Sequence, residues 1–588
     1  MNVIDIDKKT FELREHIAQF ETISFVTQYY YLLNTHLRTN NKLLEIKSPL
    51  RQIQYLLSLF LDTNPCGKVI FDPISGNAKK IDELLEEIEK GYRYNYFESI
   101  KETNMEKDEI EAHLMVSNQT FINYFVNGDL NFAEQEIERI EKTFKNFDTY
   151  IYMQTGLYVK DYLEFFELTD FIDHHKIEHF RREISEIGLS KDVQEYAKDK
   201  TKRNDGTFER IFEATENAVY KLPIQVDMMR EMMSEEKINK MLEIFGCQRE
   251  GNGTIRYYTN DCILIKKPYI WVNDEHVVMP CQKQVVHAIY DYLFDICRNY
   301  DKENRKVFEA KDNELEDKTF EIFNEFFDGE AKIYRNYYID GDEKDLLVLY
   351  RNTAFIIECK ANKYREPLRD PTKAFKRIKD DFEKCIQKGY DQAYPVMQLF
   401  RNAKEVNLRD ERGKIMATVN TNKYHSYFSI VVTAERFGQI QCDLGLLLQL
   451  SEADNYPWSV YIDDLETFLL TLKRKNAFYG EFTSYLTLRE KLNERLSCFD
   501  EMELCSYFLM QRTDFVRDCN DTSKIFVSSP TMHQIFDDLY NTGLGFKNER
   551  NLRRKIDNND ELTTQLHKAL NLKTPKSIKI FKKENRNR

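Results

Sequence analysis

Through the first 245 residues, apolar and aromatic side chains recur at spacings of three and four positions among charged residues. Residues 132–152 (FAEQEIERIEKTFKNFDTYIY) show this pattern clearly, and it is typical of helices that bury one face. The pattern has no repeat of fixed length, so it does not indicate a solenoid. The polar residues 190–206 interrupt it and predict a linker. We therefore predict a helical domain at residues 1–245, to which the pattern assigns no role.

The next segment, residues 246–300, has a different pattern. β-Branched and aromatic residues cluster at 254–258 and 262–272, on either side of Asn260 and Asp261. We predict that these clusters form two short strands of a connector, and that a helix follows them.

From Asp312 onward the pattern predicts a helix and then three strands. Gly329 lies where the helix would end, and one helical face carries its apolar residues: Leu315, Phe320, Phe323 and Phe327. The strands are predicted at residues 332–339, 344–350 and 354–361. Turn signals separate them: Asp340-Gly341-Asp342 and Arg351-Asn352.

A second helix and a fourth strand complete this unit. Asp370-Pro371 supplies an N-cap and a first-turn proline for a helix that extends to about residue 404, with a break or kink expected at Gly389 or Pro395. A strand follows at 427–433, and residues 456–470 predict a strand and helix that pack on the same sheet. The chain is thus predicted to be a mainly α multidomain protein with an embedded α/β domain (helix, three strands, helix, strand) at 301–470.

The hairpin between the second and third strands would bring two carboxylates together. If it turns at Arg351-Asn352, Asp345 faces Glu358 with Cβ atoms about 5 Å apart. Lys360 shares a strand face with Glu358, because alternate side chains point the same way. A divalent cation between the carboxylates is the simplest relief of their repulsion.

The preceding helix offers another carboxylate for the same site. Glu316 follows Leu315 and lies beside the buried stripe, where its side chain would lean over the sheet. Glu314 and Glu321 are alternatives.

Charge adds a second candidate surface. The 588 residues include 85 Lys+Arg and 99 Asp+Glu, a formal net charge of −14, which excludes a uniformly basic nucleic-acid coat. Residues 360–379 nevertheless carry eight cations and two carboxylates, and predict a local phosphate-binding surface. Beyond Lys360, six of these cations are the candidate nucleic-acid ligands: Lys363, Arg365, Arg369, Lys373, Lys376 and Arg377.

Residues 471–588 are predicted to be a helical C-terminal region with a basic tail. Its last part, 541–588, holds 13 Lys+Arg and 5 Asp+Glu. Such a tail binds a nucleic-acid backbone, or else solubilises the chain or binds an acidic partner, and both interpretations stay open.

Cysteine usage and hydropathy bear on location. The 11 cysteines are scattered and never form a CxxC pair, which favours reduced core thiols over zinc ligands. We find neither a signal-peptide pattern nor an apolar run near the roughly 18 residues of a membrane span. With only 19 Gly and 12 Pro, the composition favours long helices. We expect a cytoplasmic protein without membrane association.

The candidate site resembles a known family. Asp345, a gap of twelve residues and then Glu358-Cys359-Lys360, in this order of strands and helices, resemble the motif of the restriction-endonuclease-like nucleases of the PD-(D/E)xK superfamily. The resemblance covers residues 312–433. It departs from the motif at Lys344, which stands where the motif has proline.

The resemblance implies roles for individual residues. Magnesium, or manganese, would be bound by Asp345, Glu358, the Cys359 carbonyl and, as in some members, Glu316. Lys360 would position or activate the attacking water. Gln392 resembles the glutamine that many members carry on the helix after the active strand.

These implications predict a Mg²⁺-dependent nuclease, with DNA favoured over RNA as substrate. The resemblance also implies a bacterial defence or restriction-type role. Cleavage of a duplex by one site per chain would favour a homo-oligomer, and the helical flanks offer surfaces for a protein partner. The competing interpretation is a catalytically silent endonuclease-like module that binds nucleic acid or protein. The intact Asp345, Glu358 and Lys360 argue against it.

A separate motif, His175-Lys-Ile-Glu178-His179, matches the HxxEH pattern of inverted zincins. In that pattern, two histidines one helical turn apart bind zinc. The segment does not identify a third ligand, and a polar helix face is the simpler interpretation.

Overall fold

The computed structural model describes residues 3–547 and 549, apart from positions 39–45, 74, 102–104, 116–131, 189–218, 259–261, 302, 304, 366, 367, 369, 453 and 529–532. The chain divides into two units, one formed by Met1–Asn104 and Leu130–Asn304 and the other by Met105–Asp129 and Arg305–Arg588. Most of the secondary structure is helical, as the sequence predicts. Within the described ranges, no helix combines the length and the apolar character that crossing a bilayer requires.

The first unit consists of helices and one small sheet. Its helices are α1 (Ile6–Ile17), α2 (Thr22–Arg38), α3 (Pro49–Leu61), α4 (Gly76–Lys101), α6 (Ala133–Phe144), α7 (Asp148–Thr155), α8 (Val159–Gly188), α9 (Val226–Arg230), α10 (Glu235–Phe245) and α11 (Gln282–Cys297), while α5 (Lys107–Met115) belongs to the second unit. The sheet has the strand order β1 (Ile224–Gln225), β4 (His276–Val278), β3 (Tyr269–Asn273), β2 (Gly246–Cys247).

Several expectations for the first half need correction. The helix predicted at 132–152 is divided, because the 3₁₀ turn Lys145–Phe147 separates α6 from α7. Residues 246–300, predicted as a β-containing connector followed by a helix, contain strands β3 and β4 and helix α11 and lie inside the first unit. The predicted linker at 190–206 and the basic tail beyond residue 549 lie outside the described residues.

The strand predicted at 254–258 is also absent from the described structure. Side chains satisfy the backbone there instead: Asp62 accepts from the Ile255 N–H, and Arg14 donates to the carbonyls of Gly253 and Ile255. Because these polar groups are already paired, no strand partner is needed. The strand expected at 262–272 begins only with β3, at Tyr269.

The second unit is built on a seven-stranded mixed sheet. Strand β10 is parallel to β7 and β11, and the other pairs are antiparallel. In sheet order the strands are β11 (Trp458–Tyr461), β10 (Ser426–Thr433), β7 (Thr353–Lys360), β6 (Asp342–Tyr350), β5 (Lys332–Ile339), β8 (Glu405–Arg409) and β9 (Ile415–Asn420).

The central strands lie within two residues of their predicted bounds, and the predicted hairpin turns are present. Asp340, Gly341 and Arg351 have φ values of 53°, 92° and 52°, the left-handed conformation that tight hairpin turns require. Val348 pairs with Phe355, which confirms the predicted register of that part of the hairpin.

The β8–β9 hairpin was not predicted. Val406 and Leu408 alternate with exposed residues in β8, but five residues at a sheet edge give a weak periodic signal. Strand β9 is the edge of the sheet, and its Ile415 and Met416 are 46% and 50% exposed.

Helices cover both faces of this sheet. Helix α12 (Lys306–Phe326) packs on one face, where the ring of Phe323 lies 6.4 Å from that of Phe355. Helix α14 (Lys388–Asn402) packs on the other face through a core that includes Val396 and Ile356. Phe355 and Ile356 are successive residues of β7, so their side chains point to opposite faces.

The helix predicted from Pro371 to about residue 404 consists of α13 (Pro371–Phe382), a π-helical turn at Glu383–Gln387, and α14. Asp370 caps α13 by accepting from the Lys373 N–H at 2.9 Å, as its position before proline predicts. The irregularity precedes Gly389, and Pro395 lies inside α14 without ending it.

The rest of the second unit packs beside β11. It contains α15 (Gln439–Cys442), α16 (Ile462–Lys473), α17 (Phe478–Glu490), β12 (Leu496–Ser497), α18 (Glu501–Met510), α19 (Arg512–Asn520), β13 (Phe526–Val527) and α20 (Gln534–Thr542). Its buried polar centre is Glu501, whose Oε1 accepts from Trp458 Nε1 at 2.7 Å, Tyr485 OH at 2.5 Å and Arg489 Nε at 2.9 Å. This carboxylate thereby joins β11, α17 and α18.

We expect Arg489→Met to destabilise the second unit by about 3–5 kcal/mol, because it leaves a buried carboxylate without its cation. Urea unfolding followed by tryptophan fluorescence measures the effect. Arg517→Met is the matched control: Arg517 is 66% exposed beside Asp514 and Asp518, so its loss should cost less than about 1 kcal/mol. Equal losses in both variants would contradict the central role of Glu501.

Candidate active site

Asp345 lies at a break in the sheet. The β6–β7 ladder ends at the Leu346–Ile357 pair, one position before the predicted pairing of Asp345 with Glu358. On the other side, Asn336 is the residue that the register places opposite Asp345, and its φ is 46°. A left-handed non-glycine residue costs about 1 kcal/mol or more and persists where the surrounding structure imposes it. The position of Asp345 therefore depends on its side-chain contacts more than on its ladder.

The ammonium group of Lys360 donates hydrogen bonds to the other predicted residues of the strands. Lys360 Nζ donates to Asp345 Oδ2 at 3.1 Å, to Glu358 Oε2 at 3.2 Å and to the Cys359 carbonyl at 3.0 Å. The Cys359 N–H also donates to Asp345 Oδ2, at 2.6 Å. Three oxygens from two strands thus converge on one positive charge.

Burial makes these charges strongly dependent on one another. The Glu358 side chain is fully buried, and the side chains of Lys360 and Asp345 are 9% and 15% exposed. Burial, with Asp345 adding to it and Lys360 opposing it, raises the pKa of Glu358 to about 8. Burial alone would lower the pKa of Lys360, but the carboxylates of Glu358 and Asp345 outweigh it and raise that pKa above its usual value. Lys360 therefore keeps its positive charge.

The donor set fits a hard divalent cation. Two carboxylates and a main-chain carbonyl are oxygen ligands of the kind that Mg²⁺ and Mn²⁺ prefer. Glu358 Oε1 is buried and has no hydrogen-bond partner among the described residues, so this carboxylate has an oxygen left for a further ligand. The described residues contain no cluster of three or more His, Cys, Asp or Glu side chains that could hold a metal, and the third oxygen here belongs to the main chain.

Gly389 allows α14 to lie directly against this site. A Cβ atom on Gly389 would stand 2.7 Å from Val431 Cγ1 and 3.5 Å from Lys360 Cγ. The glycine was predicted to break or kink the helix, and its role is instead a close approach of helix and sheet.

Glu316, the predicted acid of the preceding helix, lies on α12 and is half-buried. Burial and the charges of Asp345 and Glu343 raise the pKa of Glu316 to about 7, while Lys360 lowers it. This interaction with the site favours Glu316 over the alternatives Glu314, which is buried, and Glu321, which is exposed. A further acidic residue of this helix, Asp312, was not predicted from the sequence.

Asp312, one helical turn before Glu316, interacts electrostatically with both Lys360 and Asp345. The sequence signal that could have identified Asp312 is its spacing of four residues from Glu316, which places both side chains on one helical face.

Gln392 lies on α14, three residues after Gly389. Its Oε1 atom is buried and has no hydrogen-bond partner within the described part of the chain. The side chain therefore has an acceptor to offer on the helix that also carries Gly389.

The predicted basic surface is only partly exposed. Lys363, Lys373 and Lys376 are exposed, and Arg377 is half-buried. Arg365 donates from Nε to Asp381 Oδ1 at 2.7 Å, so an internal carboxylate already binds its guanidinium group. Arg369 lies outside the described residues.

The HxxEH segment lies on α8, where His175 and His179 are both exposed. The ring of His175 lies 4.3 Å from that of Phe171. The side chain of Glu178 is outside the described part, so the zinc interpretation stays untested.

Comparison with known proteins agrees with the motif. Residues 311–433 match the family model of the nuclease-related domain (NERD), a domain of the restriction-endonuclease-like PD-(D/E)xK superfamily. The match confirms the predicted resemblance over nearly the same residues. No curated protein and no solved structure matches the chain. The domain indicates a nuclease-related function.

We expect Glu358→Gln to change how stability depends on pH. The unfolded carboxyl releases its proton near pH 4.5, whereas the folded one keeps it to about pH 8, so Glu358 makes stability fall as pH rises through this window. The variant should lose that fall, so its stability relative to wild type should rise as pH rises from about 4.5 to about 8. Urea unfolding across the window measures it.

The matched control is Glu405→Gln, an exposed carboxylate on β8, which should keep the wild-type pH dependence. The same pH dependence in wild type and Glu358→Gln would refute the assignment.

Proposed function

We propose that this chain, which carries a nuclease-related domain at residues 311–433, is a Mg²⁺- or Mn²⁺-dependent enzyme that hydrolyses phosphodiester bonds of nucleic acid, with DNA favoured over RNA. The observation that carries the proposal is the convergence of Asp345, Glu358 and the Cys359 carbonyl on one positive charge. We also propose that the sheet, with the helices that cover its two faces, is an endonuclease-like fold.

In this proposal, Asp345, Glu358 and the Cys359 carbonyl hold the metal. When bound, such an ion polarises the scissile phosphate and lowers the pKa of a bound water. Glu358 Oε1, buried and unpartnered among the described residues, supports a ligand role for that carboxylate. Glu316 adds a carboxylate on the α12 side.

Lys360 would act through its charge. Since the two carboxylates raise its pKa, the ammonium keeps its proton at neutral pH and is a poor general base. We assign it to binding the scissile phosphate and orienting the attacking water. Gln392, with its buried acceptor, is assigned to positioning a polar group of the same site.

The substrate would lie along the basic segment after β7. Lys363, Lys373 and Lys376 are exposed there and fit the phosphates of a nucleic-acid backbone. The eleven free cysteines fit a reducing compartment, so we propose a cytoplasmic location. A role in defence against foreign nucleic acid rests on the family resemblance alone.

A cleavage assay tests the proposal. We expect wild type to nick supercoiled plasmid in Mg²⁺, EDTA to stop it, and Lys360→Met or Asp345→Asn to lose about 10²–10³-fold in rate. Lys423→Met removes an exposed lysine after β9 and should keep the wild-type rate.

The same samples separate the enzyme from a silent binding module. At matched ionic strength, Mg²⁺ should raise the unfolding temperature of wild type but not of Asp345→Asn, because an ion that binds only the folded protein stabilises it. If wild type binds DNA or RNA tightly and never cuts either, the binding module replaces the enzyme.

A further inference from the structure

Helix α5 belongs to a different unit from its neighbours in sequence. The chain reaches α5 from α4 and continues to α6, and both of those helices are parts of the first unit. Within the second unit, α5 packs on α13, the helix that carries the predicted basic surface. Ala112 of α5 is 3% exposed, and His113 interacts electrostatically with Asp370, the N-cap of α13.

The two packed helices have opposite charge. Helix α5 (KDEIEAHLM) has one lysine and three carboxylates, and the carboxylates of Asp108, Glu109 and Glu111 are all exposed. Helix α13 (PTKAFKRIKDDF) has four cations and two carboxylates. One of those carboxylates, Asp381, is bound by Arg365, which adds a further cation beside the helix.

This arrangement matters for any polyanion that binds α13. Surface charges act on one another over about 10 Å at 0.1 M salt, roughly the distance between the axes of packed helices. A phosphate backbone on α13 would thus lie within the field of the α5 carboxylates, which repels it. The same carboxylates lower the positive potential of α13 when no substrate is bound.

We propose that α5 is an intramolecular acidic regulator whose carboxylates weaken the binding of a nucleic-acid backbone to the basic surface of α13. The inference rests on the proposed function only in taking α13 as the phosphate-binding surface. The regulated quantity is the affinity of the protein for nucleic acid. It depends on the charge of α5 near the bound backbone and not on the groups around Lys360. Weakening the contact between α5 and α13, or neutralising α5, should therefore strengthen binding.

The test is a binding measurement on the full chain with Asp108→Asn, Glu109→Gln and Glu111→Gln combined. The probe is a short fluorescein-labelled DNA duplex, titrated in EDTA so that hydrolysis does not interfere. We expect affinity to rise about five- to tenfold at about 50 mM salt. At about 500 mM salt the difference from wild type should largely disappear, because the field is screened.

The control variant keeps the charge of α5 and changes only the lengths of its side chains. It should bind the duplex with the affinity of wild type, and it combines Asp108→Glu, Glu109→Asp and Glu111→Asp. A neutralised variant that binds no tighter than this control overturns the inference, and so does a gain that salt leaves intact. Absence of duplex binding by every variant at low salt overturns it as well. Tighter binding by the neutralised variant, without cleavage by any variant in Mg²⁺, supports regulation by α5 while rejecting the proposed hydrolysis.

Discussion

The candidate site depends on one electrostatic arrangement: two acidic side chains and a carbonyl held around the Lys360 ammonium. Buried charges are tolerated only when they are paired and hydrogen-bonded. Here the apolar strands β6 and β7 hold Asp345 and Glu358 out of water. The Lys360 ammonium, and the proton that Glu358 retains because burial raises its pKa to about 8, limit the repulsion between them. The turn at Arg351, the register of the hairpin and the glycine of α14 all serve to bring these groups together.

Two buried carboxylates of this unit show what separates a structural ion pair from a candidate site. Glu501 is surrounded by donors from Trp458, Tyr485 and Arg489, and both of its oxygens are bound. Glu358 is buried as deeply, yet one oxygen has no partner among the described residues. Well-satisfied polar groups fix a fold, whereas an unsatisfied one in a native structure calls for a functional explanation. An unpartnered oxygen alone does not mark a site, because Oε1 of the buried Glu503 also lacks a partner among the described residues. What distinguishes Glu358 is its position beside Asp345, with Lys360 donating to both carboxylates.

The sequence predicted those features of the fold that depend on the local pattern of residues. Strong alternation, β-branched residues and tight-turn signals located β5, β6, β7 and β10, and side-chain periodicity then placed Glu358 and Lys360 on one face. The edge hairpin β8–β9 was not predicted, because short, half-exposed strands show little hydrophobic periodicity. The conformation of Asn336 and the close approach at Gly389 escaped because both depend on residues distant in sequence. The packing of α5 on α13 escaped for the same reason, since more than 250 residues separate the two helices.

The break in the ladder distinguishes the two carboxylates that we propose as metal ligands. Glu358 sits in β7, where its backbone is registered with Val431 of β10, so its position is fixed by the sheet. Asp345 has no ladder partner of its own, although Lys344 and Leu346 on either side of it are paired with β5. Of the two proposed ligands, Glu358 is thus paired within its sheet and Asp345 is not, so we expect adjustment to ions of different radius to take place mainly at Asp345.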